Sequence, residues 1–182
     1  MDWDASADYS TARGRTLAYK LFKSIQSVTK QLDSAFHFAE IRLLWEESAE
    51  LLRVLSGLDP QQYVAPFSRA LCRLGAHLYR CGYWEKAERS LREAARLCRQ
   101  CYHVNSDSER NRAYLALALH EYAKSLESLG RTEEAKLLTS EALGLRRKIF
   151  ETRLRSGAEF PASLRSYGDF LFLDPVVASD SE

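Results

Sequence analysis

The chain has 182 residues, 46% hydrophobic and 28% charged, with a formal net charge of +1, only four prolines and eight glycines. That length suits one domain, and the near-neutral charge gives no global attraction to nucleic acid or an anionic membrane. No run approaches the roughly 20 apolar residues of a membrane span, the start MDWDASADYS is acidic where a secretory leader is basic, and four cysteines are too few for a secreted disulfide framework.

A cytoplasmic, reduced, all-α protein is the expectation. In chain order, residues 1–10 are expected to be disordered and residues 11–173 to form a single helical-repeat domain. The first unit spans about 11–56, with one helix over 11–32, a turn near Asp33–Ser34 and a second helix over 35–56. Exposed apolar surface around its Leu43, Leu44, Trp45, Leu51 and Leu52 would favour self-association through an end hairpin or a place in a longer array. Asp59–Pro60 reads as the join to the next unit.

The second and third units, about 62–102 and 109–155, carry the strongest signal. LCRLGAHLYRCGYWEKAERSLREAARL (71–97) aligns without a gap on LHEYAKSLESLGRTEEAKLLTSEALGL (119–145), displaced by 48 positions throughout. A fixed period of this kind marks a repeat architecture. Each copy reads as two helices. Leu71, Leu74, Leu78 and Cys81 recur at three and four residues, one face of a helix. Gly82 ends it, because glycine enters the left-handed region without steric cost, and Gly130 stands at the matching place. The second helix carries Ala87, Leu91, Ala94 and Cys98 on one face. Gly75 and Ala87 are small enough to let the two helices approach, and Tyr83 and Trp84 are expected to fill the turn. The core then comprises Gly75, Leu78, Ala87, Leu91, Ala94, Ala123, Leu126, Ala135 and Ala142.

A half unit follows over 161–173, with Pro161 at a first helical position and Leu164, Tyr167, Gly168 and Leu171 behind it. Asp174–Pro175 ends it, and 174–182 reads as a disordered acidic tail. Degenerate end units suit the caps of a helical array, whose outer faces meet water.

Leu71, Leu74, Gly75, Leu78–Tyr79, Gly82, Trp84, Ala87, Leu91 and Ala94, with the second copy Leu119–Ala142, resemble the tetratricopeptide repeat. The 48-residue spacing exceeds the usual ~34 and is similar to the long-repeat subtype of kinesin light chains and fungal arrays. The resemblance covers about residues 35–173 and is strongest over 71–145. It implies a right-handed α-solenoid of stacked antiparallel hairpins, whose first helices line a concave groove for a partner peptide or helix. A non-catalytic interaction module or scaffold follows from it. Since some fungal arrays end nucleotide-binding signalling proteins, a fragment of a larger signalling array is an alternative. The groove positions it implies are Arg69, Cys72, Arg73, Ala76, Tyr79, Arg80, Leu117, His120, Glu121, Lys124, Arg165 and Asp169. None is asparagine, so the family's carboxylate-clamp constellation is absent.

Arg69, Arg73, Tyr79, Arg80, His120, Lys124 and Arg165 are the candidate partner-binding residues. Arginine forks suit carboxylates and phosphates, which points to an acidic peptide. The plainer reading is a solvated surface balanced by Glu121, Glu127 and Asp169. Residues 69–100 hold eight Lys or Arg against three Glu, and Arg89, Arg92, Arg96 and Arg99 share one helix face. Such a stripe can track a phosphate backbone, as in an RNA-binding repeat protein. No aromatic residue interleaves with it, however, and Glu85–Arg89 and Glu88–Arg92 can pair within the helix. Nucleic acid is therefore the weaker alternative.

Cys98-x-x-Cys101 followed by His103 invites a zinc reading, with Cys72 as a third sulfur. Cys81 lies about 24 Å along the helix from Cys98 and cannot join it. Buried cysteine as a small packing residue is the commoner role, so no metal or cofactor is expected. His37, His77, His103 and His120 are scattered, and no phosphate-binding loop or nucleophile motif is present.

Overall fold

A computed structural model describes residues 9–31 and 37–156, and every regular element among them is an α-helix. The helices are α1 (Ala12–Gln31), α2 (Phe38–Leu58), α3 (Pro60–Arg80), α4 (Trp84–Val104), α5 (Glu109–Ser128) and α6 (Thr132–Ser156). The chain divides into two compact units, residues 1–146 and 147–182. Of the second, only the last part of α6, residues 147–156, is described. No helix among the described residues is long and apolar enough to cross a membrane.

The sequence sets each boundary by local chemistry. Asp59 closes α2 with its backbone N–H on the Leu55 carbonyl and caps α3 by accepting the Gln62 N–H at 3.2 Å. Pro60 follows at the first position of α3, where its missing N–H has no intrahelical partner to lose. Gly82 and Gly130 take φ of 79° and 76°, the left-handed conformation expected of them. Behind each glycine the chain closes in the same way. The Tyr83 N–H reaches the Leu78 carbonyl at 3.0 Å, and the Arg131 N–H reaches that of Leu126 at 2.9 Å. Between α4 and α5, Ser108 caps α5 by accepting the Asn111 N–H, while the Asn111 side-chain amide donates to the Cys101 carbonyl at 2.9 Å.

Helices pack on their neighbours in sequence order, α1 on α2, α2 on α3, α3 on α4 and α4 on α5, and α3 also touches α5. From α6, Ala135, Ala142 and Leu145 enter the same core. The first helices repeat one buried register: Ala18, Phe22 and Ile25 in α1, Phe67, Leu71 and Leu74 in α3, then Leu115, Leu119 and Tyr122 in α5. All nine expected core positions are buried. The approach at Gly75 is closest of all. A β-carbon there would overlap the Leu91 side chain, lying 2.8 Å from Cδ2, so glycine is what lets Leu91 of α4 sit against α3.

Several expectations change. Tyr83 and Trp84 are 49% and 43% exposed and do not fill the turn, which the glycine closes with backbone hydrogen bonds instead. Trp45, Leu51 and Leu52 are buried, because α3 covers the face of α2 that carries them; only Leu43 of that set is clearly exposed. Large exposed apolar side chains of the first two helices are Leu17, Leu21 and Val28 on α1 and Phe38, Leu43, Val54 and Leu58 on α2. The Asp33–Ser34 turn, the half unit 161–173 with Arg165 and Asp169, the acidic tail and residues 1–8 lie outside the described residues.

Candidate interaction surface

Three and four residues separate the open positions of α3, so Arg69, Arg73, Ala76 and Arg80 follow one line along it. Over the rise of an α-helix, Arg69 to Arg80 spans about 16 Å. Leu117, His120, Glu121 and Lys124 form the half-buried side of α5. Contacts between α3 and α5 bring the two sets together. Ser128 donates its hydroxyl to the Tyr79 hydroxyl at 3.3 Å, and Lys124 Nζ lies 5.1 Å from the centre of the Tyr79 ring. At the other end of the pair, the Arg69 guanidinium lies 5.1 Å from the Tyr114 ring centre. Arg73 turns toward α2, where it lies 5.3 Å from the ring of the buried Trp45.

Arg69, Arg73 and Lys124 lie on aromatic faces, with one carboxylate among them. Lys124 pairs with Glu121 at 3.4 Å, whereas Arg69, Arg73 and Arg80 form no ion pair with a described residue. A guanidinium lying on a ring is positioned by the ring quadrupole, while its N–H donors stay available at the edge. Six of the seven predicted residues thus belong to α3 or α5, and Arg165 lies outside the described residues. Cys72, expected in the groove, is 7% exposed instead. It sits in the packed layer, where burial pushes its thiol well above the usual range, with Cys98 and Glu121 adding to the shift.

The aromatic component, Tyr114 and Trp45, was missed. A usable signal exists in the 48-residue period, which sets Tyr114 at the register of Pro66, next to the register of Arg69.

The arginine stripe of α4 is partly neutralised. Arg99 makes two bonds to Glu141 of α6, the shorter at 2.6 Å, and Arg92 pairs with Glu88 at 3.5 Å. Arg89 and Arg96 remain exposed. Glu88 departs from the solvated face expected of it, being only 6% exposed. It accepts from the Tyr122 hydroxyl at 3.2 Å and from Arg131 at 3.4 Å. Burial, followed by the Glu88 charge and its hydrogen bond, raises the Tyr122 phenol. Arg131 also holds Glu134 through two bonds, which lowers that carboxyl from its ordinary value.

An open cleft of about 300 Å³ lies between α2 and α4 over Leu71 and Leu74. Glu46, Glu50 and Glu93 face Arg53 and Arg89 around it, and the Arg53–Glu50 pair at 3.3 Å cancels part of that charge. No three His, Cys, Asp or Glu side chains among the described residues come together in a metal-binding group. Cys98 is buried and its thiol is pushed up to about 11 by desolvation. Comparison of the chain with protein-family models, curated proteins and solved structures finds no match.

Proposed function

We propose that the chain is a non-catalytic protein-interaction module whose α3–α5 face takes an acidic peptide or helix from a partner. The observation that supports this most is the line Arg69, Arg73 and Arg80, charged groups without an ion-paired carboxylate among the described residues, beside a Tyr79–Lys124 pair. Carboxylates spaced along about 16 Å of a bound segment can meet that line through two-pronged hydrogen bonds. Stacking of the hairpins as a right-handed solenoid of the tetratricopeptide kind, with this face concave, belongs to the same proposal, as does a cytoplasmic location.

The test is selection of peptides from a random library on the whole chain, followed by affinity measurement against Arg69→Glu/Arg73→Glu/Lys124→Glu. Enrichment of Asp- and Glu-rich peptides that the folded variant binds about tenfold or more weakly supports the reading. Peptides held equally by both proteins place binding elsewhere. Binding of a single-stranded RNA oligonucleotide with steep loss between about 50 and 200 mM salt, removed by Arg89→Glu/Arg96→Glu, favours the nucleic-acid reading instead.

A further inference from the structure

Leu17, Leu21 and Val28 on α1 are 58%, 40% and 45% exposed and share one side of the helix. Their register identifies the kind of surface they form. The buried triplets of the first helices place Leu17, Leu21 and Val28 of α1 at Pro66, Ala70 and His77 of α3, and at Tyr114, Ala118 and Ser125 of α5. In α3 and α5 two of those positions meet the preceding hairpin. The His77 Nε2–H donates to the Phe38 carbonyl of α2 at 2.9 Å, and Tyr114 lies beneath Arg69 of α3. Ala70, His77, Ala118 and Ser125 are all buried to within 0% exposure. On α1 the corresponding side chains are all aliphatic and open to water.

Charge narrows the choice of occupant. Helix α1 contains five Lys or Arg and no Asp or Glu. Arg13 and Lys20 follow the solvent edge of the apolar stripe. A second copy docked α1 against α1 would bring two such helices together, and like charges at close range oppose that pairing.

We propose that this face of α1 receives an acidic amphipathic helix from another protein, seated on Leu17, Leu21 and Val28 where a preceding hairpin would lie. Apolar residues of the incoming helix cover the stripe, in the manner of helix-in-groove recognition, and its carboxylates meet Arg13 and Lys20. The site is separate from the α3–α5 face and stands or falls independently of it.

The experiment uses the whole chain and two labelled synthetic helical peptides of roughly 20 residues, the length of α1. Both carry the same leucine face, one flanked by Glu and the other by Lys. The expected result is binding of the Glu peptide about tenfold or more tightly than the Lys peptide. The variants Leu17→Gln/Leu21→Gln/Val28→Gln and Arg13→Glu/Lys20→Glu should each lose it, with helical circular dichroism retained. Arg69→Glu/Arg73→Glu/Lys124→Glu should bind the Glu peptide as wild type does. Absence of binding, equal binding of both peptides, or retention by the stripe variant overturns the proposal. So does recruitment of the stripe by phosphatidylserine vesicles or by a second copy, seen as a doubled mass, in place of the Glu peptide.

Discussion

Tyr122 of α5 donates its hydroxyl to Glu88 Oε1 of α4 at 3.2 Å, and that carboxylate is only 6% exposed. Arg131 approaches the same oxygen at 3.4 Å and Arg92 the other at 3.5 Å, so three donors from α4, α5 and the turn after α5 converge on one anion. Those donors replace the water that a buried carboxylate loses, so that it is not left unsatisfied. Tyr122→Phe removes the most enclosed donor and should cost about 1–2 kcal/mol. In urea unfolding, a midpoint equal to that of wild type would show that Arg131 and Arg92 suffice.

Gly75→Ala should destabilise by ~1–3 kcal/mol, since the new methyl overlaps Leu91, which is fully buried and has little room to shift. The next repeat carries Ala123 and Thr139 at these two registers, a larger residue facing a smaller one. Gly75→Ala/Leu91→Thr should therefore be less destabilised than the sum of its single changes. Strict additivity in a double-mutant cycle would remove the contact. Ala87→Leu, at 0% exposure, should also overpack by ~1–3 kcal/mol.

Alkaline pH should weaken the fold through its thiols. Burial raises Cys98 from an ordinary value near 9 to about 11, and Cys72 is raised as well. Between those values the unfolded chain releases the proton while the folded chain keeps it, so stability is full below about pH 9 and declines as pH rises toward 11. Cys98→Ala should show a shallower decline over that window in thermal melts taken at stepped pH. An unchanged slope would assign the loss to other groups.

Arg73→Ala should lose about 0.5–1 kcal/mol, because it uncovers the Trp45 ring, whereas Arg80→Ala should be close to neutral. Thermal unfolding of the two variants separates these outcomes. Equal midpoints would mean that the Arg73–Trp45 contact contributes nothing measurable.

Helix spans and the small-residue core were legible because both rest on local chemistry. Gly82 and Gly130 end their helices by entering the left-handed region, and Asp59–Pro60 carries its own start signal. The periods of Leu71, Leu74 and Leu78 leave one face to bury. Side-chain destinations were less legible. Glu88 lies among the solvated residues of α4 by spacing, and its burial is met by donors that include Tyr122 and Arg131, 34 and 43 residues downstream. Cys72 shares the angular range of Arg69 and Arg73, yet falls on the flank that α4 and α5 cover. Whether Trp45 is open or covered was not legible for the same reason, since nothing within α2 announces that α3 and Arg73 will close over it.

Packing between helices adjacent in the chain, with α3 on α5 as the longest step, also bears on the order in which the protein forms. Contacts of short sequence separation incur little loop-closure entropy and favour rapid folding. A nascent chain that has exposed α3 and α4 already holds both partners of the Gly75–Leu91 contact, without waiting for α5 or α6. Glu88, by contrast, gains its Tyr122 and Arg131 donors only after α5 and the turn behind it have emerged. The hydrophobic layer of the α3–α4 hairpin can therefore close during synthesis, while its buried carboxylate stays in water until the next hairpin docks.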